Sequence, residues 1–104
     1  MGACLRPSCQ NTSLVSSESP SHKVVATVFE RNCGATTDFS RMVSLSSPGS
    51  DIFDDRRVVY IVNGQHDVEI EWADADTVRI TCSTCADKDI FRKSVKIDNV
   101  EIVY

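Results

Sequence analysis

Apolar and polar residues alternate along much of this chain, and the alternation predicts strands. In the run 68–72, Val68, Ile70 and Trp72 share one parity while Glu69 and Glu71 take the other, the pattern of a strand with one dry and one wet face. Val78, Ile80 and Cys82 repeat it, with Arg79 and Thr81 outward. Phe91, Val95 and Ile97 share a parity in the next segment, and Val100, Ile102 and Tyr104 form the inner face of a last strand. Earlier in the chain, the run 23–31 carries Val24, Val25, Val28 and Phe29, and the run 39–46 alternates through Phe39, Val43 and Leu45. The run 58–62 is continuously apolar and β-branched around Tyr60, which predicts a strand covered on both faces.

Breakers separate these runs. Ser47-Pro48-Gly49-Ser50 ends one strand, Asn63-Gly64 supplies the backbone of a tight turn, residues 73–77 form an acidic turn, and Asp98-Asn99 is a two-residue turn signal. Residues 51–55 have room for one helical turn around Ile52 and Phe53. The result is an all-β reading. About seven mostly antiparallel strands join through short connections into a small sandwich or open barrel, with at most one short helical turn. Residues 1–21 are rich in Ser, Asn, Thr and Pro and show neither period. They read as a flexible arm or leader remnant, followed by a single β domain over 22–104.

The 104 residues amount to one domain. The net charge of −4 and the lack of a basic cluster exclude nucleic acid as the expected partner. No apolar run reaches the roughly 20 residues that a membrane-spanning helix needs. There is no Gly-x-Ser-x-Gly, phosphate-cradling glycine loop or His-Glu-x-x-His, so the expectation is a non-enzymatic protein without a cofactor.

Five cysteines in a chain this short are many, and they point to an oxidising compartment. Cys33 ends the first predicted strand, and Cys82 and Cys85 form a Cys-x-x-Cys after a later one. A disulfide from Cys33 to Cys82 or Cys85 would close a loop of about fifty residues, worth roughly 4 kcal/mol in the chain-entropy model. Zinc is the competing use of the same residues: Cys33, Cys82 and Cys85 with His22 or His66 supply the donor types of a tetrahedral site, although a second paired motif is missing. Thiol–disulfide catalysis is disfavoured, because the motif follows a strand and is flanked by Asp87 and Asp89. Tyr60, Trp72, Phe91 and Tyr104 are the large side chains able to anchor a partner protein or small ligand. The strand at 100–104 is a candidate edge for pairing with a second copy.

The segment from Phe29 through Cys33-Gly34-Ala35-Thr36-Thr37 to Ser40 resembles the signature of a family of small uncharacterised bacterial domains. Ser19 to Lys23, Trp72, Cys82-x-x-Cys85 and the Val100-x-Ile102-x-Tyr104 ending extend the resemblance over about residues 19–104. Members of that family often look like envelope lipoproteins or secreted proteins, and the resemblance implies a fold and a location but no mechanism. The leading expectation is therefore an envelope or secreted binding module stabilised by a disulfide. Two alternatives accompany it: a zinc-binding or thiol-active protein, and a cytosolic accessory protein of the kind carried by mobile gene cassettes.

Overall fold

A computed structural model describes residues 9–34 and 38–104. Nine strands pack as two facing sheets, with two isolated 3-10 turns and no α-helix among the described residues. The strands are β1 (Gln10–Glu18), β2 (Val25–Asn32), β3 (Ser40–Ser46), β4 (Val58–Asn63), β5 (Glu69–Asp74), β6 (Thr77–Thr81), β7 (Ile90–Lys93), β8 (Lys96–Ile97) and β9 (Val100–Val103). One sheet has the order β1-β2-β3-β4-β7 and is antiparallel throughout. The other has the order β5-β6-β9-β8 and contains one parallel pair, β6 with β9.

The first four strands form the expected meander. After β4 the chain alternates between sheets: it crosses for the β5–β6 hairpin, returns to place β7 beside β4, and crosses again for β8 and β9. That last crossing puts β9 between β6 and β8, so the 100–104 segment is not the sheet edge expected of it. The edges are β1 and β7 on one sheet and β5 and β8 on the other.

The principal core lies between the sheets. Val28, Val43, Leu45 and Val62 from the first sheet meet Val78, Ile80, Val100 and Ile102 from the second. Alternation had assigned all of these inward except Val28 and Val62, and burying such side chains contributes about 1.5–3 kcal/mol each. A second cluster fills the opposite face of the first sheet. There Phe29, Met42 and Val58 pack with Ile61 and with Phe53 from the segment after Pro48. The Phe29 and Phe53 rings meet edge to face at 5.1 Å. This cover explains why 58–62 is apolar throughout, and it also buries β3 on both faces, Met42, Ser44 and Ser46 included.

Two expectations fail here. Residues 10–18 are not part of a flexible arm: they form edge strand β1, paired with β2 from Gln10↔Asn32 to Glu18↔Val25. The strand shows no period because its side chains are mostly solvated, and its order comes from main-chain hydrogen bonds. Residues 1–8 lie outside the described part. Phe91 and Val95 do not face inward either. They are 68% and 71% exposed, while Ile90 and Ile97 of β7 and β8 pack against the core.

The cysteine pairing also differs from expectation. Cys33 bonds to Cys9, and Cys82 bonds to Cys85. Cys9 and Cys33 are the next facing pair beyond Gln10↔Asn32, with Cα atoms 4.0 Å apart, so the first disulfide continues the β1–β2 ladder. No bond joins Cys33 to Cys82 or Cys85. Cys33 stands at the end of the first sheet's β1–β2 hairpin, whereas the Cys-x-x-Cys follows β6 of the second sheet.

Candidate functional site

The Cys-x-x-Cys marks the chemically richest part of the surface. Strand β6 ends at Thr81, and the turn Cys82-Ser83-Thr84-Cys85 closes on itself through the second disulfide. A pocket of about 350 Å³ opens beside it, where β4 and β7 of one sheet meet β6 and the residue after β9 of the other. Tyr60 and Tyr104 form its aromatic side, with ring centroids 5.7 Å apart. Ile80 and Ile90 supply apolar surface, and the disulfide forms part of the wall.

Charge enters this pocket from Lys93 and Asp87. The Lys93 ammonium lies 4.8 Å from the centroid of the Tyr104 ring, within cation–π range. The Tyr104 hydroxyl donates to the Ser94 carbonyl, which fixes the ring although 40% of the residue is exposed. Desolvation, followed by the neighbouring Tyr60, pushes the Tyr104 phenol up to about 12. Desolvation raises the Tyr60 phenol as well. Both phenols are neutral at physiological pH, as phenols ordinarily are, and can serve as apolar faces with a hydroxyl at the end.

Of the four aromatic residues expected at a binding surface, these two come together. Trp72 does not join them. It is half-buried against the core, and its Nε1 donates to the Ser17 carbonyl at 2.9 Å, tying β5 to β1. Phe91 faces solvent outside the pocket.

On the other flank of the disulfide stands His66, from the connection between β4 and β5. One ligand atom from each of His66, Cys82 and Cys85 lies within 4.8 Å of the others, the one such metal-capable group among the described residues. Nδ1 of His66 is 2.8 Å from the hydroxyl of Thr84, which in turn lies 4.0 Å from the Cys82 sulfur. The His66 backbone is anchored too: its carbonyl accepts from Arg41 at 3.0 Å. Arg41 pairs with Glu30 at 2.8 Å, and Gln65 donates to the same Glu30 oxygen at 3.0 Å. Burial alone would push the Glu30 carboxyl up. The Gln65 and Arg41 hydrogen bonds and the Arg41 charge together hold it below the usual carboxylate range.

His22 takes no part in this group. It sits in the β1–β2 turn at a positive φ of 62°, exposed, 3.2 Å from Glu18. Cys33 is likewise committed elsewhere. Sequence reading missed Cys9 as the partner of Cys33, because residues 9 and 33 come opposite only through the shift of β1–β2 register between Ser13 and Val15.

No protein-family model matches the chain, and no significant match was found to a curated protein or to a solved structure. The described residues of the Cys33-Gly34-Ala35-Thr36-Thr37 segment are Cys33 and Gly34, and residues 35–37 lie outside the described part. No helix among the described residues is long and apolar enough to cross a membrane.

Proposed function

We propose that this chain is a non-enzymatic binding module that works in the cell envelope or outside the cell. The observation that carries the reading is the Tyr60–Tyr104 pocket. Two neutral aromatic faces, two isoleucines, one ammonium and the Asp87 carboxylate converge there on a disulfide-flanked rim. Such a mixture of apolar wall and few polar groups is how small-ligand and side-chain pockets recognise their occupants. At about 350 Å³ the volume suits a partner's side chain or a small ligand rather than a large cofactor. Lys93 can pair with an anionic end of the occupant, and Asp87 with a donor group on it. Two disulfides support the oxidising compartment, in agreement with the resemblance to secreted and lipoprotein-like domains.

The test is an NMR screen of small aromatic and aliphatic carboxylates against the isotope-labelled chain, without reductant. Binding is expected to shift the amides of Tyr60, Ile80, Ile90, Lys93 and Tyr104 together, and Tyr104→Ala should abolish the response. Shifts that cluster instead around Phe91 and Val95, or none in any class of ligand, would sink the reading.

A further inference from the structure

We propose that Cys82, Cys85 and His66 form a redox-gated site for a thiophilic divalent cation of the zinc type, closed while the disulfide stands and open when it is reduced. This goes beyond the pocket reading and does not rest on it.

Three observations carry the inference. The donors are two sulfurs and an imidazole, the set zinc favours, and the sulfurs have the Cys-x-x-Cys spacing common in zinc sites. Their ligand atoms already lie within 4.8 Å of one another. A tetrahedral zinc with bonds of about 2.0–2.3 Å needs neighbouring ligands about 3.5–3.8 Å apart, so opening the disulfide, rather than refolding, completes the geometry. Finally, His66 is held in place from two sides. Thr84, inside the Cys-x-x-Cys itself, engages its ring, and Arg41 holds its carbonyl. These contacts keep the imidazole beside the two sulfurs.

The chemistry balances. A dithiol or phosphine reductant donates two electrons to the Cys82–Cys85 bond, the two sulfurs take up two protons, and the reductant is oxidised. Zinc then replaces the two thiol protons, which pass to the buffer, and keeps its own oxidation state. Three protein ligands leave a fourth position for water or for a ligand from the adjoining pocket. Disulfide and metal exclude each other, because zinc is held by thiolates, and these form only when the S–S bond has taken up two electrons.

The test is an anaerobic titration of the full chain with cobalt(II), after phosphine reduction and desalting, read by the thiolate-to-cobalt charge-transfer band. Zinc is then added as competitor. One cobalt per chain is expected in the reduced protein, displaced by zinc, and none in the oxidised protein. Cys82→Ser should remove the band, Cys33→Ser should retain it, and His66→Ala should weaken binding at least about tenfold. Far-UV circular dichroism follows the fold throughout. A reduced chain that shows no band overturns the proposal, and so does one that keeps the band in Cys82→Ser. Unchanged affinity in His66→Ala does the same. So does a reduced chain that has lost its β spectrum in the presence of zinc, since such a site does not exist in the folded protein.

Discussion

The two disulfides do opposite kinds of work. Cys9–Cys33 joins residues 24 apart in sequence, at the open end of the β1–β2 hairpin. Cys82–Cys85 joins residues 3 apart, inside one turn. The chain-entropy model values closure of the larger loop at about 3.5 kcal/mol and of the smaller at about 2 kcal/mol. The environments differ in the same sense. The first bond locks a solvated edge strand that buries little apolar surface. The second sits beside a pocket, an imidazole and a hydroxyl, where opening it creates donors rather than merely loosening the chain. A short-range disulfide at a chemically furnished site is thus the better candidate for exchange, and a ladder-end disulfide is the better staple.

The largest expected effect breaks or sustains this contrast directly. Cys33→Ser should lower the melting temperature by on the order of 15 °C, given about 3.5 kcal/mol and the usual 4–8 °C per kcal/mol for a domain of this size. The double variant Cys82→Ser/Cys85→Ser should lose clearly less. Thermal denaturation of both without reductant checks it, and a reversed order would mean that the Cys-x-x-Cys is the structural bond.

Next comes the tie between edge strands. Trp72→Phe keeps most of the apolar surface but loses the indole donor to Ser17, so a cost of about 1 kcal/mol is expected in chemical denaturation. Hydrogen exchange should accelerate in β1 more than in β9. Equal acceleration in both would show that β1 relies on its disulfide and ladder without help from Trp72.

The smallest effect concerns the anchor of the His66 loop. Glu30 has a lowered pKa in the folded state, so the unfolded chain binds its proton more readily. Its stabilisation is complete above the unfolded carboxylate pKa of about 4.3 and fades as pH falls below that, through the folded value. Glu30→Gln should flatten the acid limb of the stability–pH curve and leave its neutral region little steeper or shallower. An unchanged acid limb would show that the Arg41 and Gln65 contacts do not favour the charged carboxylate.

The strands most legible in the sequence are those with one wet face. Val68–Trp72, Val78–Ile80 and Val100–Ile102 alternate because each lines the space between the sheets and turns its intervening residues to water. The run at 58–62 was legible for the complementary reason, since both of its faces are covered. Alternation through Phe39, Val43 and Leu45 suggests a single dry face for strand β3, with Ser44 and Ser46 on the other parity. Both are fully buried, and their hydroxyls have no hydrogen-bond partner among the described residues. Strand β1 was illegible because pairing, not side-chain burial, makes it a strand. Of the site, the Cys-x-x-Cys and His66 stood out by residue type, but their meeting did not.

Period-2 patterning and the turn residues Asp98-Asn99 by themselves determined an all-β domain and most of its inward-facing positions, because burial and backbone conformation are local demands on each residue. Tertiary structure alone decided which cysteines bond, that Tyr60 and Tyr104 share a pocket, that Trp72 serves as an internal tie, and that His66 stands beside the Cys-x-x-Cys. Each of these depends on how strands distant in sequence are ordered and registered. Local alternation says which way a side chain points and nothing about what it points at.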